Sequence, residues 1–203
     1  MERLDEYFER LASDAPVPGG GSAATIVAAL AAALVAMVAR ISAGNPKYAE
    51  HAAAARAIAA ECDVLRAELT VARERDERAF GDVIAAQRLP KSTAEERVER
   101  RDALEGALRR AAEAPLDAAA LALRALRLTE RVLEIPNPHL ASDAGCAAEF
   151  ATAALAACAY NVRVNHRYMR DASAKTEQAT QLEGFENEAQ ALLARVRAHA
   201  LLR

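Results

Sequence analysis

Tryptophan is absent from this chain of 203 residues, and aromatic side chains make up only 4% of it, although hydrophobic residues reach 53%. A core without large rings must be built from Ala, Leu and Val. Such residues suit helices that approach closely, whereas strands draw on β-branched and aromatic residues. An all-α fold follows. Cysteine is scarce and odd in number: Cys62, Cys146 and Cys158 stand among apolar neighbours, with no Cys-x-x-Cys pair. That argues against a disulfide framework or a zinc spacing and predicts three reduced core thiols. His51, His139, His166 and His199 are scattered, so no metal site is expected. Neither sign of charge dominates, with 26 basic against 29 acidic residues and no basic block, which points away from nucleic acid and membrane as partners. The opening Met1-Glu2-Arg3-Leu4-Asp5 lacks the apolar core of a secretory signal, and a cytoplasmic location is expected.

At this length one core suffices, and residues 1–203 are read as a single helical domain. What the chain has in abundance is apolar helix. The run Ala23 to Ala39 is apolar on nearly every side. Its alanine content, its Thr25 and its shortfall from the roughly 20 strongly apolar residues a bilayer needs mark it as the buried central helix of a bundle. The spacing of Leu4, Tyr7, Phe8 and Leu11 predicts a short amphipathic helix over 2–13, and the apolar run a second over 22–42. Asn45-Pro46 opens a third that continues toward Leu89, and Ser92-Thr93-Ala94-Glu95 supplies a capping box for a fourth. Ala114-Pro115 breaks that one and starts a fifth, which ends near Glu134. Ser142 or Asp143 caps a sixth running to about Arg170, and a seventh covers 175–201. About seven helices on short connections imply an orthogonal or mostly antiparallel bundle, and so large an apolar surplus predicts a homodimer.

Directly before the apolar run stands Pro16-Val17-Pro18-Gly19-Gly20-Gly21-Ser22. Three glycines permit a sharp turn or the close approach of a ligand, and Ser22 is placed to cap the helix that follows. Backbone N–H groups beside the positive end of a helix suit an anionic or strongly polar ligand, while a plain elbow between helices would need the same residues. On the third helix Asp76 and Phe80 lie one turn apart. A carboxylate beside an apolar group can serve as acid or base near neutrality, but Glu74, Arg75, Glu77 and Arg78 surround it, and local sequence alone favours a solvated face. On the sixth helix Asp143, Asn161 and Asn165 interrupt an apolar stretch. Asp143 and Asn161 share a face about 27 Å apart along the axis, with Asn165 about 40° off. An Asn among apolar residues needs its amide paired, so Asn161 either bridges helices or reads a ligand. Lys47 near a helix start opposes the helix dipole, which hints at an acidic partner, although a solvated lysine would look the same.

Several segments occur together in one order: Pro16 to Ser22 with Ala33 to Ala39, Lys47-Tyr48, Asp76-Glu77-Arg78-Ala79-Phe80, Leu89-Pro90-Lys91, Pro115-Leu116, Ser142-Asp143-Ala144-Gly145 and Asn161-Val162-Arg163-Val164-Asn165. From about Leu4 to Arg170 this order resembles the cyclodeaminase/cyclohydrolase family. That family holds the C-terminal domain of formiminotransferase-cyclodeaminase and the stand-alone bacterial methenyltetrahydrofolate cyclohydrolases. The resemblance implies an all-helical domain, dimeric or higher, that binds a tetrahydrofolate derivative and acts on the one-carbon unit at N5 and N10. It implies no cofactor beyond that substrate, and no metal or nucleotide.

The family's catalytic acidic position, in its Asp-x-x-Ala-Phe motif, falls on Asp76 and overrides the solvated-face reading. Gly19, Gly20, Gly21, Ser22, Lys47, Asp143, Asn161 and Asn165 are expected around the substrate. The first reaction expected is closure of 5-formiminotetrahydrofolate to the 5,10-methenyl form with loss of ammonia. The alternative is opening of the methenyl form by water to 10-formyltetrahydrofolate. A silent folate- or protein-binding bundle is a third reading, opposed by the polar groups retained in apolar helices. Many relatives carry Gly-Lys-Lys-Lys-Tyr where this chain has Ala43-Gly44-Asn45-Pro46-Lys47-Tyr48, so a weaker hold on polyglutamylated folate follows if those lysines meet the tail. Transfer of a formimino group would fall to a separate formiminotransferase.

Overall fold

Alanine at the helix crossings sets the architecture. Ala24, Ala28, Ala31, Ala32, Ala36 and Ala39 are almost fully buried along one helix, and Ala144, Ala147, Ala148, Ala151 and Ala154 along another. With only a methyl group between them, these backbones pack closely and exclude water without bulky side chains. The computed structural model describes residues 3–201. These form six α-helices, with no strand among the described residues: α1 (Leu4–Leu11), α2 (Gly20–Gly44), α3 (Ala52–Gln87), α4 (Ala94–Leu133), α5 (Ala141–Tyr168) and α6 (Ala172–Leu201). From α2 onward the chain runs up and down. The ion pairs Arg131–Glu61 and Arg124–Glu68 fix the antiparallel register of α3 and α4, and Arg197–Glu149 and Arg163–Glu186 that of α5 and α6. Exposed pairs of this kind contribute little stability each, about 0–1 kcal/mol, but they oppose slippage. α2 packs against α3, α5 and α4, and its two ends meet α5 at Gly20–Asn161 and, through Ser42, at Asn137 just before α5.

The expected break at Pro115 does not occur. α4 runs unbroken through it, so six long elements replace seven. Proline normally ends a helix because it withholds an N–H from the carbonyl four residues earlier. Here that carbonyl, of Ala111, accepts instead from Asn165 Nδ2 at 2.8 Å, and the helix continues. The third helix also starts later than expected. Asn45 accepts the Lys47 N–H, Pro46–His51 forms a 3₁₀ turn, and Tyr48 leaves helical geometry at φ −115°, ψ 26° with its side chain buried, so α3 begins at Ala52.

The caps differ as well. Gly19, not Ser22, precedes α2, which places Ser22 inside the first turn. The capping box of α4 is Thr93 with Glu96, one residue later than read. A 3₁₀ turn at Pro138–Leu140 feeds straight into α5, so Ser142 and Asp143 lie within its first turn and do not cap it. Cys62 and Cys158 are buried as expected, whereas Cys146 is exposed. By length and composition α2 could cross a membrane, yet most of it is buried against its neighbours. It is not enclosed all round, because Leu30, Met37 and Ile41 form an uncovered stripe. Glu2, read as the start of the first helix, lies outside the described residues.

Candidate active site

The first turn of α2, the middle of α3 and α4, and the last turns of α5 converge on a cleft of about 160 Å³. Its walls are Pro16, Val17, Gly19, Gly20 and Gly21 on one side and Asp76, Phe80, Ala111, Asn161 and Asn165 on the other. Asp76 is the only charged residue among them. It is there because of helical register: Leu65, Leu69, Ala72, Ala79 and Val83 form the buried stripe of α3, and position 76 continues the same stripe. A carboxylate thus occupies a position that the pattern otherwise gives to aliphatic groups.

Close backbone approach completes the setting. A Cβ on Gly21 would fall 2.6 Å from both Cγ and Oδ2 of Asp76, and closer still to Oδ1, so only glycine admits the carboxylate here. Gly20 lies beside the Asn161 amide in the same way, at 3.6 Å from its Nδ2 to the position of an added Cβ. The Ser22 backbone N–H donates to Asp76, which favours its ionised form. Burial outweighs that bond and, together with the neighbouring Glu77 charge, pushes the Asp76 carboxyl up from 3.8 to about 6.

Glu77 is held by a chain of bonds that the sequence did not announce. Arg10 donates to Glu77 Oε2 at 2.9 Å, and Ser22 Oγ donates to Glu77 Oε1 at 2.8 Å. Having given its one proton to Glu77, Ser22 Oγ accepts from the Tyr7 hydroxyl at 3.0 Å. The Arg73 guanidinium stacks 5.5 Å above the Tyr7 ring. α1 is thereby fastened against the α2–α3 corner, and Ser22 is fixed so that its N–H meets Asp76.

The two asparagines line the cleft and are held through their amide nitrogens. Asn165 Nδ2 donates to Ala111 O and to Asn161 O, both at 2.8 Å, and Asn161 Nδ2 donates to Ala157 O at 2.9 Å. Both N–H groups of Asn165 are engaged on backbone, which leaves its Oδ1 as the free end, whereas Asn161 keeps one N–H and its Oδ1. Asn161 was expected either to bridge helices or to read a ligand; its side-chain bond stays within α5, and it is Asn165 that bridges to α4. Pro115 is the origin of the Asn165 contact, and no local signal in the sequence tied it to the cleft.

Lys47 and Asp143 do not join this group. They lie at the opposite end of the bundle, since α2 spans 25 residues, about 37 Å, between the cleft and the Lys47 turn. Lys47 is exposed beside the Tyr48 ring. Among the described residues no three His, Cys, Asp or Glu side chains gather as a metal site would require. The buried thiols of Cys62 and Cys158 are pushed up to about 11 and about 12 by desolvation, which keeps them unreactive.

One half-buried carboxylate pushed up to about 6, set among two asparagines and the start of α2, is the candidate acid–base group of an all-helical bundle. The chain belongs to the formiminotransferase-cyclodeaminase family, whose model matches residues 3–184. It is 38% identical to a methenyltetrahydrofolate cyclohydrolase of Methylorubrum extorquens over 195 residues, 96% of this chain and 94% of that protein. It is 31% identical to the rat formimidoyltransferase-cyclodeaminase over 168 residues, 83% of this chain but only 31% of that longer protein. The solved formiminotetrahydrofolate cyclodeaminase of Thermotoga maritima superimposes with a TM-score of 0.88 at 27% identity, covering 98% of this chain and 96% of that one.

Proposed function

We propose that this chain is a tetrahydrofolate one-carbon enzyme that opens 5,10-methenyltetrahydrofolate with water to give 10-formyltetrahydrofolate. The observation that carries the reading is Asp76, a carboxylate raised to about 6 in a cleft with no other charge. The methenyl carbon sits in an amidinium cation between N5 and N10, and a lone anionic group in the cleft suits a cation. In its ionised form Asp76 takes a proton from water as the oxygen attacks that carbon. The tetrahedral adduct then collapses with cleavage of its bond to N5, and Asp76 returns the proton to N5. Of the two protons of water, one ends on N5 and the other in solvent. General base action of this kind contributes about 10²- to 10⁴-fold. Asn161, Asn165 and the Gly19 to Ser22 backbone orient the reacting groups.

The near full-length match to the Methylorubrum protein supports hydrolysis as the first reading. The second, favoured by the fold of the Thermotoga enzyme, is closure of 5-formiminotetrahydrofolate, with Asp76 in its acid form protonating the departing ammonia after N10 adds to the formimino carbon. A formiminotransferase activity would then supply the substrate. Absorbance at the methenyl band separates the two. With methenyltetrahydrofolate, decay faster than the buffer blank is expected, rising with pH through about 6 as Asp76 ionises and then levelling. A rise in absorbance from the formimino substrate, with ammonia released and a rate that falls above that pH, would establish the second reading. No change with either substrate would overturn both.

The uncovered α2 stripe of Leu30, Met37 and Ile41 supports a homodimer, because leaving these side chains in water forfeits burial that a second copy supplies. Sedimentation at micromolar concentration is expected to give a dimer, and a monomer with Leu30 and Met37 still exposed would refute it.

A further inference from the structure

Two adjacent carboxylates meet at one serine. Successive positions on a helix point about 100° apart, so Asp76 faces the cleft while Glu77 is turned toward α1. Ser22 touches both, its backbone N–H donating to Asp76 and its hydroxyl to Glu77 Oε1 at 2.8 Å. Both acids are thus fixed on a single residue in the first turn of α2.

Glu77 departs from the acids around it. Glu74 is exposed, whereas the Glu77 side chain is only 18% exposed and its Oε2 is covered by Arg10 of α1 at 2.9 Å. A second negative charge beside a carboxylate that already resists ionisation is unfavourable, and Arg10 offsets it. The anchor of α1 is Tyr7, its one buried residue, whose hydroxyl donates to Ser22 Oγ at 3.0 Å. Burial pushes that hydroxyl above its ordinary value, so it remains a donor. The half-exposed Arg10–Glu77 pair adds little to this hold, since pairs of that exposure contribute little stability.

The other surroundings of Asp76 bring no competing charge. α2 offers backbone, α4 offers Ala111, and α5 offers Asn161, Asn165 and the thiol of Cys158, which burial keeps neutral. On α3 itself, Arg73 lies against the Tyr7 ring.

We infer that Glu77 and Arg10 are positioning residues of the acid–base site: Glu77 holds Ser22 against Asp76 and opposes its ionisation, and Arg10, acting through Glu77, limits that opposition. Both roles rest on Asp76 being the acid–base group of the folate reading, and neither side chain lines the cleft. A merely structural pair would leave a different signature. Loosening α1 admits water to the cleft and moves Asp76 down toward 3.8 whichever partner is removed, whereas loss of charge moves it in opposite directions.

The test follows the Asp76 carboxyl carbon by NMR titration in the intact chain, with Asp76→Asn assigning the signal. It is read in Glu77→Gln, which keeps an acceptor for Ser22 Oγ, in Arg10→Met, which keeps an unbranched stem, and in the charge-conserving Arg10→Lys. Circular dichroism is expected to show unchanged helix content in all three. Glu77→Gln is expected to lower the midpoint from about 6 by about half a pH unit, and Arg10→Met to raise it by about as much, the effect of one nearby charge in a medium between protein and water. Arg10→Lys is expected to hold the wild-type midpoint. The rising limb of methenyltetrahydrofolate turnover should move with it, giving rates at pH 5 about threefold above wild type in Glu77→Gln and about threefold below in Arg10→Met. Shifts of one sign in these two variants, or no shift, overturn the inference even if turnover upholds the folate reading. Opposed shifts without turnover of either folate support the roles of Glu77 and Arg10 and defeat the folate reading instead.

Discussion

Asp76→Asn is expected to lower kcat by about 10²- to 10⁴-fold, the usual contribution of a positioned acid or base, and at the same time to raise the melting temperature. The two effects have one cause. The ordinary carboxyl value is 3.8 and the folded value about 6, so the native state prefers the protonated form. Below the lower value that preference is fully compatible with folding. As pH rises through about 6 the carboxylate ionises against its surroundings, and by pH 7 it destabilises the native state. Allowing for its residual contact with water, the loss is on the order of 2 kcal/mol. Asparagine keeps the acceptor for the Ser22 N–H and carries no charge, so a gain of several degrees in melting temperature is expected at pH 7 and little at pH 4. Turnover against pH and thermal melts at both pH values check the pair. Undiminished turnover would remove Asp76 from the chemistry, and a melting point that falls at pH 7 would refute the account of its environment.

Gly21→Ala is expected to reduce kcat/KM by about 100-fold or more while leaving helix content unchanged. The residue lies in regular helix, where alanine is favoured over glycine by about 1 kcal/mol, so nothing in the backbone resists the change. The new methyl group would instead occupy the space of the Asp76 carboxylate. The carboxylate must swing away, and a displacement of about 1 Å at a reacting group costs on the order of 10²-fold. Gly20→Ala serves as the comparison, because its added carbon would meet the Asn161 amide at an ordinary 3.6 Å, and its loss is expected to stay within severalfold. Circular dichroism and steady-state kinetics on the two variants separate local collision from any general effect on α2. Equal activity in the two would refute the close-approach account.

The all-helical class was legible because composition alone excludes most alternatives: a chain rich in alanine and nearly without rings has few ways to build a sheet core. The acidic residue of the cleft was legible in a way the local charge pattern concealed. Glu74, Arg75 and Arg78 do sit on exposed positions, but counting back from Ala79 and Val83 puts Asp76 on the aliphatic stripe, and that register outweighs its neighbours. Asn161 and Asn165 were visible as polar groups in apolar helix. Asp143 was grouped with them through a shared helical face, and a face says nothing about position along a 28-residue axis, while Lys47 was added only because it opposes a helix dipole. Tyr7 and Arg10 were out of reach, since their part depends on how a short helix folds back onto the α2–α3 corner. Cys146 was misjudged because apolar neighbours in sequence do not reveal which way a helix turns its side chains.

Pro115 gives the cleft an unusual dependence on distant sequence. The position of one of its two amide groups is specified by an absent hydrogen on another helix, 50 residues earlier in the chain than Asn165. The proline and the asparagine therefore form a lock and key written in backbone chemistry. Replacing Pro115 would bring back an N–H that competes for Ala111 O, so a variant that repairs the ladder of α4 would leave the amide held only by Asn161 O while touching no atom of the substrate.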